Sequence, residues 1–169
     1  MTHIVLLGLM GAGKTEIGRR LSDRLGKELV DGDDVLEART GRTAREIAEA
    51  DGLDALHELE IEIVLEALAR TEPCIIGPAA SVIESPRVRD ALADHTMIWL
   101  TASAAFLAED VAEKPHRPLV HDNDPLEVME EQLAVRQPLA TALAAMVVDV
   151  SSAPEEDLTA LIVDRLALA

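Results

Sequence analysis

Residues Gly8 to Thr15 read Gly-Leu-Met-Gly-Ala-Gly-Lys-Thr, which is the pattern G-x-x-x-x-G-K-[ST]. The apolar run Ile4-Val5-Leu6-Leu7 precedes it and the helical pattern from Glu16 to Leu21 follows it. A strand therefore delivers the chain to a turn whose small residues let the backbone curl, and successive N–H groups form a concave nest for phosphate oxygens. The helix that begins at the loop adds the positive end of its dipole. Lys14 is placed to reach the β- and γ-phosphates, and the Thr15 hydroxyl to ligate Mg²⁺. Gly11, Ala12, Gly13, Lys14, Thr15 and Glu16 are thus the candidate ATP-binding stretch.

A chain of 169 residues is expected to form one domain, spanning 1–169, and to bury most of its apolar surface without disulfides. The single cysteine, Cys74, lies in an apolar run, excludes an intramolecular disulfide framework and fits a reducing compartment. The N-terminal residues have no basic region followed by a long apolar stretch, and no run reaches membrane-spanning length. A cytoplasmic protein with no membrane partner is expected. The 15 Lys and Arg against 32 Asp and Glu leave a net charge of −17, which repels nucleic acid, so an anionic ligand needs a local cluster of cations. With one Trp, one Phe and no Tyr, a stacking platform for single strands is also missing.

Along the chain, Gly26 closes the first helix and a short second strand, 28–31, runs into the acidic turn Asp31-Gly32-Asp33-Asp34. Carboxylates at the C-terminal end of a strand fall on the ligand edge of an open α/β sheet. Thr43 and Glu46 form a capping-box pattern for a helix to Ala50, and Leu56, Leu59, Ile63 and Ala67 mark the buried stripe of a helix over 53–70. His57 and Glu60 share a neighbouring face of that helix, where they are spaced to pair. A strand at 73–76 leads into Gly77-Pro78-Ala79, then come a helix at 86–94, a strand at 97–100 with Trp99 in the core, and a helix at 102–109. Residues 114–124, with two prolines and the histidines His116 and His121, read as a loop. A helical region at 125–145, bent or broken near Pro138, a strand at 146–149 and a helix from Pro154 complete the count. Strands alternating with helices predict a parallel sheet covered on both faces.

In order and spacing, the phosphate loop, Asp31-x-Asp33, Arg39-Thr40-Gly41, the Gly52 region, Arg117-Pro118-Leu119, Arg136-x-Pro138-Leu139 and Val148-Asp149 resemble the shikimate kinase family nearly end to end. The resemblance implies a five-stranded parallel sheet sandwiched by helices in the nucleoside monophosphate kinase style. It also implies a lid at about 112–124 closing over ATP and a small hydroxylated acid or polyol, and a monomeric enzyme of aromatic amino acid biosynthesis. Carried onto this chain, Asp33 accepts a hydrogen bond from the acceptor hydroxyl and Arg136 holds the acceptor carboxylate. Arg117 comes down with the lid onto the phosphates, and Asp31 joins Thr15 around Mg²⁺. Lys14, Asp33 and Arg117 are the catalytic candidates. Asp33, His57, Gly77, Ala79 and Arg136 are the acceptor-binding candidates.

The chain departs from the family pattern on particular faces. Leu56-His57 stands where the family has Phe-Arg, and imidazole offers fewer donors than a guanidinium fork. Gly77-Pro78-Ala79 replaces Gly-Gly-Gly, which removes a backbone donor and adds a Cβ beside the acceptor. Asp110 stands for the arginine that covers adenine, and Ala140 for a tyrosine. The phosphate machinery is intact, so the sequence reads as a small-molecule kinase with an altered acceptor pocket. The alternatives are a kinase for another metabolite such as a gluconate-like polyol, an ATP-binding regulatory protein with weakened transfer, and a phosphate-loop protein with a macromolecular partner.

Overall fold

The computed structural model describes residues 2–112 and 123–168. Five strands form one parallel sheet: β1 (Ile4–Gly8), β2 (Leu29–Asp31), β3 (Ile75–Gly77), β4 (Thr96–Thr101) and β5 (Met146–Asp149), in the spatial order β2-β3-β1-β4-β5. Every residue of β1 is buried, as a strand covered on both faces requires. β5 alternates buried and exposed residues, as fits its place at the edge of the sheet.

The helices among the described residues are α1 (Lys14–Leu25), α2 (Gly32–Thr40), α3 (Ala44–Asp51), α4 (Leu53–Leu68), α5 (Pro86–Leu92), α6 (Ala104–Ala112), α7 (Pro125–Leu143) and α8 (Glu155–Ala167). A 3-10 turn, Ala80–Glu84, lies between β3 and α5. α1 packs on α8 and on the β1–β3 side of the sheet, while α7 packs on α6, β4 and the 3-10 turn. The main core joins β1, β3 and β4 to Ile17, Leu21, Leu92, Met129 and Ile162, with Trp99 fully enclosed. A satellite core of Leu36, Ile47, Leu56 and Ile63 ties α2, α3 and α4 together. No helix of the described residues is long and apolar enough to cross a membrane.

β1 is the central strand, and the connections leaving β1 and β4 run in opposite directions across the sheet. A crevice opens at such a reversal, beyond the carboxyl ends of the strands. The phosphate loop, which follows β1 directly, is delivered into it.

Several expectations need adjusting. The acidic turn at 31–34 is the start of α2: Asp31 is its N-cap and its side chain accepts a hydrogen bond from the Asp33 backbone N–H. A carboxylate in that position satisfies an orphan donor and faces the positive end of the helix, which favours helix over turn. Strand β3 is Ile75–Gly77, shifted toward the ligand edge from 73–76. The 3-10 turn after it was not expected.

α7 runs through Pro138 as one helix. Proline removes one backbone hydrogen bond, but Met129 and Ala140 on either side of it are both fully buried and anchor the two halves on the core. The expected lid at 112–124 and its Arg117, His116 and His121 lie outside the described residues, apart from flanks where Ala112 closes α6 and Asp124 caps α7. His3, which carries no sequence pattern, is buried at the start of β1: it accepts from the Cys74 N–H at 3.1 Å through Nδ1 and donates to the Arg70 carbonyl at 3.1 Å through Nε2.

Candidate functional site

A cavity of about 930 Å³ occupies the crevice. On one wall lie Gly11, Ala12, Gly13, Lys14, Thr15 and Glu16; on the other lie Asp31, Asp33, His57, Gly77, Ala79 and Arg136. Every candidate named from the sequence therefore lines this cavity except Arg117, which is outside the described residues.

The loop owes its shape to glycines in conformations that other residues rarely take. Gly11 and Gly13 have φ of 83° and 73°, and a Cβ on Gly11 would sit 2.8 Å from the Leu107 carbonyl oxygen. The loop is thus pressed against α6. Lys14 Nζ donates to the Gly8 carbonyl at 2.6 Å, so the ammonium lies over the loop that carries it. Glu16, in the first turn of α1, pairs with Arg20 at 2.8 Å.

Thr15 Oγ1 donates to Asp31 Oδ2 at 2.8 Å, joining the start of α1 to the end of β2. Asp31 Oδ1 accepts from the Asp33 N–H at 3.0 Å, so the capping of α2 ties the Asp31 carboxylate to the Asp33 backbone at the sheet edge. A hydroxyl and a carboxylate oxygen side by side suit a hard divalent cation that takes its remaining ligands from phosphates and water. Among the described residues no group of three or more His, Cys, Asp or Glu forms a metal cage.

The acceptor wall is assembled from separate elements. His57, half-buried on α4, faces the cavity. Gly77 has open space where its Cβ would be, and Ala79 leads into the 3-10 turn. Arg136 on α7 donates through Nε to Glu84 at 2.6 Å and through Nη1 to Gln132 at 2.9 Å.

Two residues here went unread as site residues. Glu60, one turn beyond His57 on α4, lines the cavity and accepts from the Ser81 hydroxyl at 2.5 Å. The pairing of His57 with Glu60 is thus replaced by a bond to the 3-10 turn. Burial pushes the Glu60 carboxyl up to about 7; the Ser81 hydrogen bond opposes this, nearby Asp33 adds to it, and Arg136 and Lys14 pull it down. Those influences place Glu60 electrically between the phosphate loop and the acceptor wall. The sequence signal was its i, i+3 spacing from His57, which puts both on one face. Glu84 carried no such signal, because its partner is 52 residues away.

A phosphate loop at the switch point of a parallel sheet, a Thr-Asp pair for a divalent cation and a facing pocket with a carboxylate and an arginine define a P-loop kinase of the nucleoside monophosphate kinase-like fold. The shikimate kinase family profile matches residues 10–167. The chain is 36% identical to a shikimate kinase of Thermobifida fusca over 165 residues, covering 98% of this chain and 95% of that one. It is 41% identical to a shikimate kinase of Rhodococcus erythropolis over 135 residues, covering 80% and 79%. The solved shikimate kinase from Acinetobacter baumannii in complex with shikimate superposes with a TM-score of 0.92 at 26% identity, over 99% of this chain and 93% of that one. The chain belongs to the shikimate kinase family, the small-molecule kinases that transfer phosphate to a hydroxyl.

Proposed function

We propose that the protein transfers the γ-phosphoryl group of ATP to a hydroxyl of shikimate, acting as a single domain with a lid at about 112–124. The observation that carries this reading is the placement of the whole phosphate loop, Asp33 and Arg136 around one cavity, in a chain similar to a kinase solved with shikimate.

In this reading Gly11, Ala12, Gly13 and Glu16 offer backbone groups to the phosphates of ATP, and Lys14 swings from the Gly8 carbonyl to the β- and γ-phosphates. Phosphoryl transfer asks mainly for positioning and for compensation of charge on the transferred group. Asp33 accepts the hydrogen bond of the acceptor hydroxyl, orients its oxygen toward the γ-phosphorus and takes its proton as the new O–P bond forms. The bond from the γ-phosphorus to the bridging oxygen breaks at the same time, and ADP leaves with that electron pair. Arg136 and His57 hold the acceptor carboxylate, while Gly77 and Ala79 border its ring. Arg117 approaches the phosphates from the lid. Thr15 and Asp31 would hold Mg²⁺, which when bound neutralises charge on the phosphates.

Coupled ADP release with Mg-ATP, run against shikimate, quinate, gluconate and a no-acceptor control, tests the reading. Turnover with shikimate well above the control is expected. Equal rates with and without every acceptor would overturn it in favour of a nucleotide-binding protein.

A further inference from the structure

The wall facing the phosphate loop is held by the 3-10 turn Ala80–Glu84, which packs on α4, α5 and α7. Ala80, Val82 and Ile83 are buried in the main core, so the turn cannot drift. Arg89 Nη1 fixes its far end by donating to the carbonyls of Ile83 and Glu84, each at 2.8 Å. The Glu84 carboxylate is therefore presented from a braced backbone, and it takes Arg136 Nε at 2.6 Å. The Arg136 side chain is only 11% exposed, while Glu84 is 44% exposed. The arginine that faces the acceptor thus meets a permanent carboxylate of the chain itself.

Gln132, one turn back on α7, independently holds the same guanidinium through Nη1 at 2.9 Å. Gln132 holds the guanidinium as a neutral partner, so what Glu84 adds beyond a second hydrogen bond is charge. An arginine whose Nε edge and positive charge are already answered offers an incoming carboxylate a weaker, partly shared fork. Glu60 sits on the same side of the pocket, and His57 supplies an imidazole and not a second guanidinium. Arg45, which lines the cavity from α3, is itself paired with Glu49 at 2.7 Å.

We propose that Glu84 is a specificity-determining residue: as an internal counter-charge on Arg136 it weakens capture of a carboxylate and shifts selection toward the acceptor's hydroxyls. The inference rests on the reading that Arg136 faces the acceptor carboxylate. It makes the pocket one that takes acidic polyols with low affinity and discriminates little against the same ring lacking the negative charge.

Glu84→Gln keeps the shape and a hydrogen-bond acceptor while removing the charge. In steady-state assays of the full chain with Mg-ATP, it is expected to lower KM for shikimate about tenfold, the size of one charge-assisted contact regained. KM for the neutral methyl ester of shikimate and KM for ATP stay within about twofold. An unchanged or raised KM for shikimate in Glu84→Gln overturns the proposal, and a rise in both Glu84→Gln and Glu84→Ala assigns Glu84 to positioning alone. If neither protein phosphorylates shikimate, the acceptor reading falls, and the counter-charge is decided without any acceptor. A carboxyl NMR titration of Glu60 then gives the answer: losing Glu84 leaves the Arg136 charge uncompensated, so Glu60 must titrate lower in Glu84→Gln, and an unmoved titration overturns the inference.

Discussion

The phosphate side of the cavity comes from residues 8–16, one continuous stretch, whereas the acceptor side is drawn from α4, the loop after β3, the 3-10 turn and α7. The first is built from backbone: glycines with positive φ and the N-terminus of a helix fix where phosphate oxygens go, whatever the neighbours do. The second is built from side chains whose partners are remote: Ser81 on Glu60 and Glu84 on Arg136. A backbone site tolerates little change and keeps its pattern. A side-chain site can be retuned one residue at a time, and this side holds His57 and Gly77-Pro78-Ala79, where the resemblance drawn from the sequence implies a departure from the family pattern.

The sharpest way to break this comparison is at Lys14. Its side chain donates to carbonyls of its own loop, Gly8 at 2.6 Å and Leu9 at 3.4 Å, and Lys14→Ala leaves the core untouched. Turnover should fall by about 10³-fold or more, the scale of losing a charged donor aimed at developing charge. The thermal midpoint should move by no more than about 2 °C, as for a change outside the core. Turnover that survives the substitution would remove the phosphate loop from the mechanism.

Arg136→Ala comes next and probes the other wall. It should raise KM for shikimate by roughly 10- to 100-fold, the range for a hydrogen bond to a charged group, while KM for ATP stays put. Equal losses for both substrates would mean that the two walls are not separable and that Arg136 serves the nucleotide. The His57→Arg exchange acts in the opposite direction and more weakly. It places a guanidinium on this wall of the cavity and should lower KM for shikimate about tenfold, as one added bidentate contact would. If KM is unmoved, the carboxylate does not lie against α4.

The same contrast explains what could be read from the amino-acid order. The phosphate loop, β1, the Gly26 end of α1 and the Thr43–Glu46 capping box are local patterns, and each is present. Asp31 and Asp33 fall at the sheet edge, as the strand before them implies, but an N-cap Asp and a turn Asp look alike in sequence, so α2 is not legible from them. The 3-10 turn had no periodicity to announce it, and Glu84 gains meaning only when α7 brings Arg136 to it across 52 residues. At Pro138 the local rule allows a bend or a break, and α7 runs through it unbroken, with Met129 and Ala140 buried on either side.

Glu60 offers the smallest effect and the one that ties both walls together. Its carboxyl, pushed up to about 7 by burial against an ordinary value of 4.5, is easier to keep protonated in the folded chain than in the unfolded one. Below pH 4.5 both states hold the proton and Glu60 has no pH-dependent effect. Between 4.5 and about 7 the unfolded chain releases its proton while the folded chain retains it, so stability falls as pH rises through this window and levels off above it. The decline amounts to about 1–2 kcal/mol once part of the shift is discounted for solvent reaching a half-buried group. Glu60→Gln mimics the protonated form, so its stability in urea titrations should lose this slope and exceed that of the parent at pH 8. A slope that persists in Glu60→Gln would assign it to other carboxylates and remove Glu60 from the pH response.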